Sequence, residues 1–441
     1  LTGVEDKLQE NVASTLETLA NAGVRVWMLT GDKVETATCI AISSKLFARN
    51  AAIFHLTAET REQAGEQFSR FQKQTGGVHA EEQFSRFQKR TGACLVIDGR
   101  SLALCTDNFP RQFIEVACAC PAVVCCRCAP TQKALVVRLL KRHAKRRCAA
   151  IGDGGNDVAM IQAADVGIGI EGKEGKQASL AADFSLTKFS HVSRLMLWHG
   201  RNSYTRTARL SQFVIHRGLI ISIIQVVFSS IFYFATIAIY SGWLVVGYST
   251  VFTMLPVFSL VLDEDVDADT VFMYPELYKE LQKGRRLCLR TFLEWVFKSI
   301  YQGGAIMLLS IFLFDHSFLR IISITFTSLL LTELLMVALE IQRWRWQMVV
   351  AEVLSLAAYA VAIFLLPSYF DAGFIMSGDF WIKKGSSYFD AGFILSDDFW
   401  IKVIVITLVS CLPVTIGKWF RTTCAPPAYV KLARSRDAAD S

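Results

Sequence analysis

The chain has 441 residues, a formal net charge of +7, 52% hydrophobic residues and a mean hydropathy of +0.36. It is too apolar for an ordinary soluble protein and long enough for two or three domains. The basic excess argues for a membrane surface and against nucleic acid, because beyond residue 200 the Lys and Arg residues cluster beside long apolar runs.

Up to about residue 200 the chain reads as a soluble α/β protein. Residues 6–22 have helical apolar spacing, with Leu8, Val12, Leu16 and Leu19 on one face, and Gly23 ends the run. A strand is expected over 24–29, then the turn Thr30-Gly-Asp32, then a helix over 34–46. Phosphate ligands commonly bind at such a switch from strand to helix, which makes the Thr30 hydroxyl a candidate donor to a phosphoryl oxygen. The plainer alternative makes Thr30 and Asp32 turn and capping residues. Residues 50–92 are polar and contain a duplication, Gln67-Phe-Ser-Arg-Phe-Gln-Lys73 recurring as Gln83-Phe-Ser-Arg-Phe-Gln-Lys89. One pair of copies is too few for a solenoid, and the segment reads as a partly helical surface insertion.

Buried strands are expected over 94–98 and 122–126. After the second come Arg127, Pro130 and Lys133; Pro130 suits the start of a helix running through His143, which puts Lys133 in its first turn. The helix dipole disfavours a cation there, so a bound phosphate would rationalise Lys133; the alternative is an exposed surface lysine. Nine of the 12 cysteines precede residue 150, and Cys118, Cys120, Cys125, Cys126 and Cys128 are crowded on what reads as one strand. Without nearby His they read as reduced, buried thiols in preference to a zinc site. A short strand over 147–151 leads into Gly152-Asp-Gly-Gly-Asn-Asp157 and a helix over 158–164. Asp153 and Asp157 can face one point from this turn, a hard-oxygen site suited to Mg²⁺. An Asp pair in a turn is also commonly structural.

A site working through an aspartyl phosphate, or on a phosphomonoester, needs a nucleophilic Asp, a hydroxyl donor, a cation and an acidic Mg²⁺ site. Thr30, Lys133 and the pair Asp153/Asp157 supply the last three, each at a strand end. Gly152-Asp-Gly-Gly-Asn-Asp157 resembles the magnesium motif of the haloacid dehalogenase fold and of P-type ATPases. Asp6-Lys-Leu-Gln9, Thr30-Gly-Asp32 and Pro130-Thr-Gln-Lys133 resemble the phosphorylation domain of those pumps. Glu171-Gly-Lys-Glu-Gly-Lys-Gln-Ala178, Ala182-Asp-Phe184, His216-Arg-Gly218 and Pro256-Val-Phe-Ser-Leu-Val-Leu-Asp-Glu-Asp265 resemble the type IV subfamily, the phospholipid flippases. Within it the Neo1-like, class 2 flippases of Golgi and endosomes are the most similar.

The resemblance covers nearly the whole chain apart from one copy of each duplication. It implies ATP-driven phospholipid transport, with Thr30, Gly31, Asp32, Arg127, Lys133, Asn156 and Asp157 contacting nucleotide or phosphate. It implies Thr30, Asp32, Lys133 and Asp153 as catalytic residues, and Asp153 and Asp157 as Mg²⁺ ligands. It also implies a multi-pass protein of the trans-Golgi network or endosome with its catalytic part cytosolic; the particular lipid and any accessory subunit stay open. P-type ATPases carry their nucleophile in a D-K-T-G-T string, and no such string occurs here. The chain begins at Leu1 inside what reads as a running domain, so a fragment is expected, inactive by itself.

Six spans are expected, near 218–240, 243–262, 292–314, 318–340, 346–366 and 401–420. The arginine-rich segment 195–217 reads as a stalk leading into the first, and a turn around Ser241-Gly242 joins the first two. With an even count, Lys279, Lys283, Arg285, Arg286, Arg343, Arg345, Lys418 and Arg421 all fall on the side of the catalytic half. A second duplication, Ser368-Tyr-Phe-Asp-Ala-Gly-Phe-Ile375 and Ser387-Tyr-Phe-Asp-Ala-Gly-Phe-Ile394, lengthens the loop before the last span. A cation pump needs several carboxylates at mid-membrane, yet Glu333 is the clearest deep acid. Ser222, Gln225, Ser229, Ser230, Thr250 and Thr253 suit a polar headgroup or, equally, hydrogen bonds between helices. Flippases resembling this chain usually have a Lys near the start of the first of these spans, where Arg217 stands here.

The expected architecture is therefore an incomplete α/β, haloacid-dehalogenase-like (Rossmannoid) phosphorylation domain over 1–194, a stalk over 195–217, an all-α bundle of six transmembrane helices over 218–420 and a cytosolic tail over 421–441. The rival readings are a cation-transporting P-type ATPase, a non-catalytic protein that binds or interferes with an intact flippase, and a membrane-anchored phosphatase.

Overall fold

The computed structural model describes residues 8–48, 50–74, 93–172, 176–234, 236–284, 286–313, 318–365 and 397–424. It divides into two units, Leu1–His199 with Val271–Lys279, and Gly200–Thr270 with Glu280–Ser441. The second copy of the first duplication and both copies of the second lie outside the described residues.

In the first unit α1 is Val12–Asn21, shorter than the 6–22 reading. Asn11 adopts a left-handed conformation and breaks the run there, so Leu8 is exposed and the buried face is Thr15, Leu16 and Leu19. Gly23, at a positive φ of 81°, ends the turn that follows the helix, a conformation that costs a glycine little. Then come β1 (Trp27–Leu29), α2 (Val34–Ser43), β2 (Ile53–Leu56), α3 (Arg61–Gln74), β3 (Cys94–Asp98), α4 (Gly99–Asn108), α5 (Pro110–Ala119), β4 (Val123–Cys126) and α6 (Pro130–Leu139). The strands form a four-stranded parallel sheet in the order β1-β4-β3-β2. The near-continuous apolar strands Cys94–Asp98 and Val123–Cys126 sit at its centre, covered on both faces, as parallel strands must be. Ile53–Leu56 pairs with β3, so the 50–92 segment begins as part of this sheet. The crowded cysteines are split between elements: Cys118 lies on α5, Cys125 and Cys126 on β4, and Cys128 after it, all as free thiols.

A second parallel sheet, β5-β6-β7, comprises β5 (Ala149–Gly152), β6 (Val166–Ile170) and β7 (Phe184–Leu186), with α7 (Val158–Ala163) and α8 (Gln177–Ala181) between the strands. Asp165 ties its start: the carboxylate accepts the Cys148 amide at 2.9 Å and pairs with Lys141 at 3.2 Å. The Cys148 amide, and then the Lys141 ammonium, hold this carboxyl below the usual aspartate range. β1 pairs only with β4 and β5 only with β6 among the described residues. The side chain of Leu29, on β1, packs against Val137, Ala150 and Met160.

The second unit holds α9 (Arg201–Ile231), α10 (Gly242–Gly247), a π-helical turn Tyr248–Phe252, α11 (Met254–Leu262), α12 (Leu289–Leu313), α13 (Phe318–Glu340), α14 (Trp346–Leu365) and α15 (Asp397–Cys424). Five helical stretches are long and apolar enough to cross a membrane, His191–Ile231, Gly242–Leu262, Leu289–Leu313, Ile321–Glu340 and Phe399–Cys424. In the sixth expected span, α14, the apolar stretch Trp346–Ala362 falls short of that length. The first span ends earlier than 240. Its helix stops at Ile231, and Tyr233 and Phe234 take positive φ.

α15 carries Pro413, which has no N–H to give to the preceding turn. The Tyr301 hydroxyl donates to the Val409 carbonyl at 3.1 Å, the acceptor that the proline leaves without its helical partner. Closer to the start of α9, Arg201 makes a bidentate pair with Asp265, while Arg286 joins Asp265 at 3.1 Å and Arg209 reaches Asp263.

Candidate active site

Thr30-Gly-Asp32 is the turn at the carboxyl end of β1. Its backbone is fixed from β4: the Thr30 amide donates to Cys125 at 2.9 Å, and the Cys128 amide donates to the Thr30 carbonyl at 2.9 Å. The Arg127 amide donates to the Asp32 carbonyl at 3.0 Å. Inside the turn the Thr30 hydroxyl donates to Asp32 Oδ2 at 2.7 Å and accepts the Asp32 amide at 3.2 Å. The hydroxyl is thus held at the strand end with its proton on a carboxylate. An incoming phosphoryl oxygen would compete with Asp32 for that proton. Gly31 is exposed, with open space where a Cβ would stand.

The second turn, at the end of β5, runs through Asp153 and Gly154 into a 3₁₀ turn Gly155–Asp157. Asp153 is exposed and makes no side-chain hydrogen bond or ion pair among the described residues; the same holds for Asn156. Asp157 folds back over Gly152, so closely that a Cβ at position 152 would overlap it; only glycine fits there. Asp157 Oδ1 accepts from Lys133 Nζ at 2.8 Å, with the two side chains only 14% and 11% exposed.

The anion beside Lys133 among the described residues is Asp157, 24 residues further on. Lys133 stands in the first turn of α6, which Pro130 starts and Gln132 caps by accepting the Ala129 amide at 3.0 Å. Gln132 also donates to the Gly99 carbonyl at 3.0 Å, which anchors this helix start to the end of β3. The segment 127–133 therefore joins both turns: its backbone bonds the Thr30 turn, and its lysine bonds Asp157.

Arg127 has a positive φ of 51°, and its Nε lies 4.0 Å from Asp98 Oδ1. Asp98, at the end of β3, is a candidate that the sequence reading passed over; its Oδ1 is buried with no hydrogen-bond partner among the described residues. The signal was present, as an Asp-Gly pair directly after an apolar strand. Beside these groups, a hydrogen bond with Cys125 lowers the Cys128 thiol, and the Lys133 charge lowers it further against the effect of burial. The same bond and burial push Cys125 up.

The donor set suits Mg²⁺. Asp153 has both oxygens free and Asp157 keeps Oδ2 clear of Lys133, while magnesium is typically held by one or two carboxylates, waters and substrate phosphate. No group of three or more His, Cys, Asp or Glu placed to enclose a metal occurs among the described residues.

In the membrane segments the hydroxyls proposed for a headgroup bond mainly to their own helices. Ser222, Ser230 and Thr250 donate to the carbonyls of Gly218, Val226 and Val246. Gln225 bridges to Ser229 and to the backbone of Ile237 and Ile239, which ties down the chain beyond the helix end. Arg217 donates to Thr253 Oγ1 at 3.0 Å and Ser249 O at 3.4 Å.

Residues 179–427 match the family model described as "Phospholipid-translocating P-type ATPase C-terminal". The chain is 54% identical over 434 residues to a probable phospholipid-transporting ATPase IIB of Danio rerio, covering 98% of this chain and 36% of that protein. It is 49% identical to the probable phospholipid-transporting ATPase tat-5 of Caenorhabditis elegans over 98% of this chain and 37% of the relative. To the phospholipid-transporting ATPase NEO1 of Saccharomyces cerevisiae it is 46% identical, over 98% of this chain and 35% of the relative. The chain thus spans little more than a third of the length of these curated relatives.

Proposed function

Because the chain belongs to the phospholipid-translocating P-type ATPase family, as a Neo1-like type IV member matching its C-terminal part, we propose that it serves an ATP-driven phospholipid pump as part of the phosphoryl site and of the lipid-bearing membrane bundle. The observation that carries this reading is the Lys133–Asp157 pair at 2.8 Å, set between two turns that each end a parallel strand. In it a haloacid-dehalogenase-like domain uses Thr30 and Asp32 to orient a phosphoryl oxygen, and Lys133 to hold its charge. Arg127, Asn156 and Gly31 contact nucleotide or phosphate. Bound at Asp153 and Asp157, Mg²⁺ would supply charge neutralisation at the phosphoryl oxygens.

That β1 pairs only with β4 and β5 only with β6 among the described residues supports the rest. A strand from elsewhere in the longer protein, bearing the nucleophilic Asp, would pair there and place its carboxylate between Thr30 and Asp157. In the membrane unit α14 completes six spans, and the trans-Golgi network or endosome is the location the Neo1-like relationship favours. A phospholipid fits the transported substrate better than a metal cation, because Glu333 is the one fully buried carboxylate within the apolar helices described, Glu352 on α14 being only partly buried.

The test is turnover of the intact protein in liposomes. ATP hydrolysis is expected to rise on adding phospholipids with different headgroups and to stay flat on adding Na⁺, K⁺, Ca²⁺ or Mn²⁺ at fixed Mg²⁺. Stimulation by a metal cation without any lipid response would replace this reading by the cation pump.

A further inference from the structure

Inside the membrane unit, His216 on α9 and Glu333 on α13 meet with their side chains 0% and 1% exposed, Nε2 standing 3.6 Å from Oε1. Neither Glu333 oxygen has a hydrogen-bond partner among the described residues, and His216 Nε2 has none either. The other ring nitrogen is engaged. His216 Nδ1 lies 2.7 Å from Ser299 Oγ, and that hydroxyl donates its own proton to the Trp295 carbonyl at 2.9 Å. A serine has one hydroxyl proton, so Nδ1 is the donor in the first bond. Neutral His216 therefore turns a lone pair from Nε2 toward the carboxyl of Glu333. If Glu333 is ionised, two lone pairs confront each other in a site closed to water, and the hydroxyl of Tyr248 is left to answer a buried carboxylate. That arrangement is among the most costly a protein interior can hold.

We propose that His216 and Glu333 form a one-proton site, its ligand a single proton shared between Oε1 and Nε2. The proton forms an O–H bond on Glu333 and is accepted by Nε2, which leaves the pair neutral. Its removal to water breaks that bond and leaves the carboxylate facing the nitrogen lone pair. Among the described residues Glu333 forms no ion pair except the contact with His216, and the Tyr248 hydroxyl and the charge of Arg217 also act on it. Arg217, one position after His216, sends its guanidinium to Thr253 and Ser249 and makes no ion pair with the carboxyl. The ionisable groups that sense the pair are Arg217 itself, Tyr248 in the π-helical turn, Lys298 on α12 and Cys411 on α15. Phe213 and Trp295 present their rings to His216 at centroid distances of 5.9 and 5.5 Å, which fixes the imidazole and keeps the site apolar. A metal cation fits less well, since one carboxylate and an imidazole make a poor shell for a hard ion.

The readout is the infrared spectrum of the intact pump at neutral pH, which needs no lipid transport and so stands apart from the proposed function. A protonated-carboxyl stretch that shifts in deuterated water is expected in the wild type and lost in Glu333→Gln. His216→Gln should keep the band but move its frequency, because the acceptor changes; a merely structural histidine would leave it in place. If Glu333→Gln does not fold, the shift in His216→Gln decides alone. A spectrum that Glu333→Gln leaves unchanged, meaning a carboxylate ionised and solvated by water, overturns the proposal. So does a Glu333 band that His216→Gln does not move.

Discussion

Replacing Lys133 with Met in the intact pump is expected to slow ATP turnover by about 10²–10³-fold, with most of the loss in kcat. The substitution keeps the length of the side chain and removes its charge. That charge is held at 2.8 Å from Asp157 in a pocket where both groups are largely screened from water. A preorganised cation at a site where phosphoryl charge spreads contributes most in the transition state, so binding of ATP should weaken far less than catalysis. Lys133→Arg restores charge but not the compact ammonium, and should recover only part of the loss. Turnover that survives Lys133→Met within a factor of about two would make the lysine a structural partner of Asp157 and nothing more.

The largest effect on stability is expected at Asp265. Its carboxylate takes both Nε and Nη2 of Arg201, at 3.2 and 3.0 Å, with the two side chains 0% and 1% exposed. Arg286 adds a second guanidinium at 3.1 Å. Asp265→Ala takes this carboxylate away from the buried guanidinium of Arg201, and a loss of about 3–5 kcal/mol in unfolding free energy is expected. Thermal unfolding of the detergent-solubilised protein checks it. Adding Arg201→Met to Asp265→Ala should return much of the loss, because the penalty belongs mainly to the uncompensated charge. A double variant as unstable as the single one would mean that Asp265 acts through Arg286 or through packing instead.

Much of the α/β unit was legible because its signals are local. Cys94–Asp98 is a short apolar run ending at Asp-Gly, and Pro130 marks the start of its helix by its missing N–H. The turns at Thr30 and Asp153 were legible for the same reason, as polar and glycine-rich punctuation after apolar runs. What failed were pairings that spacing does not encode. Lys133 and Asp157 meet only after β5 returns beside α6. Ile53–Leu56, a strand of four residues, was hidden by the polar sequence that follows it. The end of the first membrane helix was misplaced because the sequence stays apolar to Tyr240, and the break at Tyr233 and Phe234 uses neither glycine nor proline. In the bundle, the answer of Tyr301 to Pro413 and the facing of His216 and Glu333 are contacts between helices distant in sequence, and periodicity cannot report them.

The central claim is that Thr30, Lys133, Asp153 and Asp157 surround an aspartate carried by another part of the longer protein. Labelling that intact protein with γ-³²P ATP tests it most directly. The expected product is an acid-stable phosphoprotein, released by hydroxylamine as an acyl phosphate must be, abolished by chelating Mg²⁺ and strongly reduced in Asp153→Asn. Labelling that is indifferent to Mg²⁺ and to Asp153→Asn, or no labelling of the lipid-responsive protein at all, would contradict it.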